Sequence, residues 1–192
     1  MPTYAELEGN LIRLQPIQSG DAKAAFLLAH DDRVTRTLIW DGPTTQEVLT
    51  EAYERFSGQW HQGDTYHFAI EPLQNPVFSG SITVRSETPK SADIGYWLGF
   101  PYWGKGYMTD AIRLVTYFVF THLSADGVHA DVFAGNLASR RVLEKNEVRF
   151  EGVLAQHHVK QGESIDACRM VLGRKEWEKG LGGFRPAIEN IV

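Results

Sequence analysis

Between Asp93 and Ala111 the chain reads DIGYWLGFPYWGKGYMTDA, and across Gly104-Lys105-Gly106 its apolar pattern changes from strand-like alternation to helical spacing. Ala111, Leu114, Val115, Phe118 and Val119 recur at helical intervals, so a long amphipathic helix follows the turn and packs on the sheet. Such a turn gathers unpaired backbone N–H groups and the positive end of a helix dipole around one point. Glycines there accept positive φ and let phosphate oxygens approach the backbone. Two readings stay open on the glycines alone: an anion site, or a helix start built from permissive residues.

Gly99 to Gly106 also spells G-x-x-x-x-G-K-G, close to a nucleotide-triphosphate loop. That loop needs Ser or Thr after the lysine to hold Mg²⁺, and the position is Gly106. No later strand ends in the exposed Asp of a magnesium site. The anion that remains is a pyrophosphate that undergoes no chemistry, as in the handle of coenzyme A.

Around this junction the chain reads β-α-α-β-β-β-α-β-α-β-β. Leu11 to Leu14 is a first strand, and a helix from Asp21 to His30 has Ser19 available as its cap. Thr44 lies three residues before Glu47 in the spacing of a capping box, which starts a helix running to about Gly58. Three β-rich runs follow, Tyr66 to Glu71, Val77 to Arg85 and Ala92 to Phe100; Val128 to Phe133 is another. Asn136 is placed to cap a helix over Leu137 to Asn146, and Glu151 to Val159 and Ile165 to Leu172 flank the turn KQGES. The expectation is an α/β (α+β) domain with a mixed, mostly antiparallel sheet of about seven strands and helices on both faces. Residues 1–180 form a single domain, and 181–192 are expected as a loose C-terminal tail that could add to a neighbouring copy, leaving a homodimer open.

Composition narrows the setting. The 192 residues suffice to bury about 70 % of the unfolded surface, so no staples are needed. The single Cys168 excludes an internal disulfide framework and lies in an apolar run as a core residue. No apolar run reaches the ~20 residues of a membrane span, and the first residues lack a signal-peptide layout, so a cytoplasmic location is expected. A net charge of -5 offers no general basic surface for nucleic acid, and the seven histidines show no zinc spacing, so no metal is expected.

With NLASRRVLEKNEVRFEG, the DIGYWLGFPYWGKGYMTDA stretch resembles the GNAT superfamily of N-acetyltransferases, of the RimJ/RimL type that acetylates protein N-terminal amines. LIRL, WDGP and IDACRMVLGRKEW extend the likeness over nearly the whole chain. The resemblance implies a sheet splayed between its fourth and fifth strands, with the pantetheine arm of acetyl-CoA in the gap. It implies cofactor contacts at Trp97, Leu98 and Gly99 on the strand, and at Trp103, Gly104, Lys105, Gly106, Tyr107 and Met108 in the turn. Asn136 and Ser139 would hold the pantetheine, and Ser139 would protonate the leaving sulfur. The residue at the family's base position is His158. Trp40 and Tyr96 are expected at the acceptor pocket, although alternation does not say which of Tyr96 and Trp97 faces it. Two departures stand out: Pro101 replaces the Gln or Arg heading the turn, and Glu147 replaces the glycine that ends the second motif helix.

The function implied is transfer of acetyl from acetyl-CoA to a primary amine, a protein N-terminal α-amine first, in a ternary complex. The alternatives are a non-catalytic acyl-CoA-binding module, or transfer to a small-molecule amine or of another acyl group.

Overall fold

The computed structural model describes residues 2–88 and 90–192, so Met1 and Pro89 of the expected domain lie outside the described residues. In chain order the elements are β1 (Ala5–Glu8), β2 (Ile12–Pro16), α1 (Ala22–Ala29), α2 (Asp32–Thr35), α3 (Gln46–Gln62), β3 (Thr65–Pro72), β4 (Gly80–Thr88) and β5 (Ser91–Leu98). They continue as α4 (Tyr107–His122), β6 (Gly127–Phe133), α5 (Leu137–Glu144), β7 (Arg149–Lys160), β8 (Glu163–Gly173), α6 (Arg174–Gly180) and β9 (Ile188–Ile191). One mixed sheet runs β7-β8-β6-β5-β4-β3-β2-β1-β9, antiparallel except where β5 meets β6.

The expected strands are present, and two more extend one edge. β9 pairs Ala5 with Ile191 and Glu8 with Ile188, so part of the segment expected as a loose tail is an edge strand. Neither AELE nor IENI has a long alternating run; backbone pairing with each other makes them strands. The splay falls where it was expected. Only Ser91, Ala92 and Asp93 pair with Gly127, Val128 and His129, and beyond them β5 continues to Leu98 and β6 to Phe133 as separate walls.

α4 buries Ala111, Ile112, Leu114, Val115, Phe118 and Val119 against Tyr66, Phe68, Ile70, Ile82, Val84 and Ile94 on one sheet face. A smaller cluster on the other face joins Ile17 and Ala69 to Ala25 of α1 and Leu49 and Tyr53 of α3. Strand alternation sorts these sets, and it leaves the polar side chains of β4, β5 and β6 on the face that α1 and α3 cover only in part.

Several helix ends differ from expectation. Thr45, not Thr44, caps α3 by accepting from the Val48 N–H at 3.4 Å, and α3 runs past Gly58 to a left-handed Gly63. Ser19 lies inside a short 3-10 turn, where the Asp21 carboxylate accepts from the Gln18 N–H at 2.9 Å. Asn136 does cap α5, its Oδ1 accepting from the Ser139 N–H at 3.1 Å. At the other end of α5, Glu147 itself takes the left-handed conformation at φ 63°. Asn146 is buried and donates to the Thr109 and Val142 carbonyls at 3.1 Å, which ties α5 to α4.

Candidate active site

The turn from β5 into α4 leaves its amides free. Phe100–Tyr102 make a 3-10 turn with Pro101 in its first positions, where a missing N–H breaks no hydrogen bond. Gly104 and Gly106 then take φ 74° and 83°, a region that penalises residues with a Cβ by about 1–2 kcal/mol. A Cβ on Gly104 would meet nothing within 4 Å, so the side toward the cleft is open. Among the described residues, no backbone acceptor faces the N–H groups of Gly104, Gly106, Tyr107, Met108 and Thr109; Asp110 bonds the Gly106 carbonyl at 3.1 Å. Beneath them the buried Asp110 carboxylate accepts from the Leu11 N–H at 2.8 Å and the Ile12 N–H at 3.3 Å, which pins the start of α4 to the β1–β2 turn.

These amides open onto a cleft of about 1260 Å³ that follows the splay. The Gly99 N–H donates to the Ser79 carbonyl at 2.9 Å, so by strand alternation the Leu98 N–H turns away from β4 and into the gap. The Trp103 indole N–H donates to the Leu98 carbonyl at 2.6 Å and fixes the end of β5. Across the gap, the Tyr96 hydroxyl lies 2.7 Å from the Ser139 Oγ, joining β5 to the first turn of α5. Burial raises the Tyr96 pKa above its ordinary value and outweighs the hydrogen bond to Ser139, so this phenol stays protonated at neutral pH.

His158 reaches the cleft because β7 is irregular. Pairing with β8 shifts register between Leu154 and His158, Gln156 takes φ 51°, and its N–H donates to the Asp166 Oδ1 at 2.7 Å. Such a bulge re-aims the side chains that follow it. The His158 Nε2 is buried without a hydrogen-bond partner, and the ring lies 5.6 Å from that of Phe133. Burial lowers its pKa, with a further contribution from His157, so the imidazole is neutral at pH 7.

The face covered by α1 and α3 carries another histidine. His67 is buried, with Nδ1 3.0 Å from the Thr83 Oγ1 and Nε2 2.7 Å from the Gln59 Oε1, and burial with the Arg85 charge lowers its pKa to about 3. Two carboxylates facing the cleft are paired with guanidinium groups, Asp93 with Arg85 at 2.6 Å and Asp131 with Arg169 at 2.7 Å, and Glu87 lies 3.5 Å from the His129 imidazole. Burial lifts the Asp131 carboxyl, but the hydrogen bonds and charge of Arg169 outweigh it and leave the group below the usual carboxylate range.

Trp40, Tyr96, Trp97, Leu98, Trp103, Gly104, Gly106, Tyr107, Met108, Asn136, Ser139 and His158 all line this one cleft. Gly99 and Lys105 do not. A Cβ on Gly99 would lie 2.8 Å from Leu28, so this glycine serves packing on α1, and the Lys105 ammonium lies 5.6 Å from the Tyr102 ring centroid. Tyr96 and Trp97 divide the two faces: Tyr96 meets Ser139, and Trp97 meets Trp40 at 6.1 Å and Phe78 at 5.8 Å. Three features were not foreseen: His67, the Arg85–Asp93 pair, and Lys160, whose ammonium holds the Asp41 carboxylate at 2.6 Å and the Trp40 carbonyl at 3.3 Å. Arg85 and Asp93 stand opposite each other on antiparallel β4 and β5, a pairing that strand register alone would have suggested. Lys160 and Asp41 are 119 residues apart and carry no local signal.

Residues 12–149 match the family model described as Acetyltransferase (GNAT) domain. The chain is 32% identical over 172 residues to the Bacillus subtilis protein named "Putative ribosomal N-acetyltransferase YdaF", covering 87% of this chain and 92% of that one. Two solved structures share the fold. Mycobacterium smegmatis RimJ in complex with CoA-disulfide superposes with a TM-score of 0.78 at 22% identity, over 91% of this chain and 90% of that one. RimL, a ribosomal L7/L12 alpha-N-protein acetyltransferase in complex with coenzyme A, gives 0.78 at 19% identity, over 89% and 99%.

Proposed function

The chain belongs to the GNAT acetyltransferase family, and on that premise we propose that it transfers acetyl from acetyl-CoA to a primary amine, a protein N-terminal α-amine, by direct attack within a ternary complex. The observation that carries this reading is the set of acceptor-free amides at Gly104 and from Gly106 to Thr109 opening into a splayed sheet. That combination fits a pyrophosphate at one end and an extended acyl arm along the gap. The names of YdaF and RimL support a protein acceptor.

Acetyl-CoA supplies the activated acyl group as a thioester, and the chain supplies the rest. Backbone amides of Gly104, Gly106, Tyr107 and Met108 receive the pyrophosphate, and the Asn136 side chain, fixed as the α5 cap, borders the arm. The Leu98 N–H faces the gap and stabilises negative charge developing on the carbonyl oxygen. The His158 Nε2, neutral and unpartnered, takes the proton that the amine loses. An α-amine near pKa ~8 is partly neutral at about pH 7.4, whereas a lysine amine near ~10.4 is only about 0.1 % neutral, so a weak base suits the α-amine. As the N–C bond forms and the C–S bond breaks, the Ser139 hydroxyl, held for that role by the Tyr96 hydroxyl, gives its proton to the sulfur and takes one from water, to which His158 returns the amine's proton.

The test is thiol release from acetyl-CoA in the presence of short peptides, with mass spectrometry locating the acetyl group. Peptide-dependent release with acetyl on the α-nitrogen is expected. Tight coenzyme A binding without amine-dependent release overturns the reading and leaves an acyl-CoA-binding module.

A further inference from the structure

The acceptor side of the cleft is an aromatic wall, and its chemistry narrows the amine. Trp40 and Trp97 lie 6.1 Å apart with planes tilted by 54°, and both are half-buried, so each shows ring surface to the cleft. Phe56 continues the wall from α3, backed by the buried Tyr53 at 5.4 Å. At the mouth Ile39 and Val48 line the cleft while 55% and 48% exposed.

The polar groups behind this wall are already satisfied. Phe56 stacks on the His67 ring at 3.5 Å, and both nitrogens of that ring are engaged by Thr83 and Gln59, so the histidine presents neither a charge nor a free hydrogen-bonding group. Of the carboxylates lining the cleft, Asp93 and Asp131 each hold a guanidinium, and Glu87 faces the His129 imidazole that also approaches Asp93. With Asp93 and Asp131 so held, Arg36, Arg85 and Lys145, which also line the cleft, repel a second positive charge on the acceptor. A polyamine or an aminoglycoside would have to desolvate its further ammonium groups without a partner.

We infer that the acceptor is an amine whose carbon skeleton carries a large apolar or aromatic group, seated against the wall of Trp40, Trp97 and Phe56, rather than a small-residue N-terminus or a polycation. This rests on the transferase reading above. Trp97 directly precedes Leu98, whose N–H faces the gap where the acyl carbonyl is proposed to lie, so a side chain against the Trp40–Trp97 pair belongs to the residue that bears the reacting amine or to its neighbour. Three half-buried aromatic rings with no polar contact to offer gain most from an apolar partner of similar size.

The experiment compares kcat/KM for tetrapeptides that differ only in the first residue, Ser, Ala, Leu, Phe or Trp, with spermidine as a polycation. Leu, Phe and Trp are expected to exceed Ser and Ala by at least tenfold, with spermidine slowest. Trp40→Ala is expected to erase that ratio while the affinity for coenzyme A, read by calorimetry, is unchanged. Turnover that favours Ser, Ala or spermidine overturns the inference and leaves the transferase reading intact. So does a Trp40→Ala protein that binds coenzyme A normally and keeps the full preference. Coenzyme A binding with no amine-dependent thiol release overturns the transferase reading and this inference with it.

Discussion

His67 is a buried base with both nitrogens occupied, and its charge state links the site to stability. Its folded pKa, near 3, lies below the ordinary value of about 6.5, so the unfolded chain binds the proton more tightly. The His67 contribution is therefore complete above about pH 6.5 and falls as pH drops toward the folded value, by roughly 1.4 kcal/mol per unit. His67→Gln, which can keep partners in Thr83 and Gln59, is expected to flatten the fall in urea midpoint between about pH 6.5 and 4.5 relative to the wild type. A slope as steep as the wild type's would remove His67 as its source. Tyr96 makes a different prediction, since its hydroxyl bonds Ser139, the proposed proton donor. Tyr96→Phe is expected to lower kcat about tenfold, with the KM for acetyl-CoA unchanged, as for loss of one hydrogen bond felt mainly in the transition state. The Tyr96→Phe/Ser139→Ala pair should be no slower than Ser139→Ala alone; additive losses would separate the two hydroxyls. Ser139 and Asn136 were legible because capping and first-turn positions are local. Its hydroxyl's partner was not, because Tyr96 and Ser139 meet only once the splay places β5 opposite α5.

Among the elements, the exit of α5 and the β7–β8 hairpin carry specific consequences. Glu147 occupies a left-handed position at φ 63° that glycine fills without strain, and its side chain rests against Gly180. Glu147→Gly is expected to raise stability by about 1 kcal/mol, or about 2–4 °C in a melting curve. A lower melting temperature would show that the contact with Gly180 outweighs the strain. At the hairpin tip Gln161 and Gly162 both have positive φ, 52° and 83°, the signature of a tight two-residue turn that fixes register and so places Lys160. The buried Lys160 then ties the hairpin to the WDGP loop through Asp41 and the Trp40 carbonyl. Lys160→Met keeps most of the packed stem but removes the tie. We expect the KM for the amine to rise about tenfold, with that for acetyl-CoA unchanged, because the contact holds the loop that carries Trp40 and the strand that carries His158, both on the proposed acceptor side. An equal rise in both would place Lys160 in general folding instead. Four helices and most strands were readable from periodicity, the short α2 and α6 were not, and Thr45 displaced Thr44 as a cap by one position. Two adjacent threonines offer the same chemistry, and only backbone geometry separates them.

Over the whole molecule the sheet has one flank extended by β9 and one open seam. β9 covers β1 through four residue pairs, and Glu189 accepts from the Tyr117 hydroxyl at 2.9 Å, which fastens the edge to α4. Removing residues 186–192 is expected to lower the urea midpoint and, through the bared β1 edge, to cause concentration-dependent association visible by light scattering. kcat should hold, because β9 lies on the far flank from the splay; a loss of kcat in the folded protein would mean that this edge shapes the cleft. Sequence alone missed this extension, since four-residue strands take their conformation from each other rather than from their own pattern. The seam has the opposite character. β5 and β6 are laced for three residue pairs and then part, like a zip left open above its first teeth. If the donor completes that zip, each catalytic cycle must draw it shut and pull it apart again, and the spent carrier leaves only as fast as a guest strand can be unlaced. The wedge that makes room for chemistry then also acts as the clock for turnover, and weakening the lacing at Ser91–Asp93 would reset it without touching a reacting group.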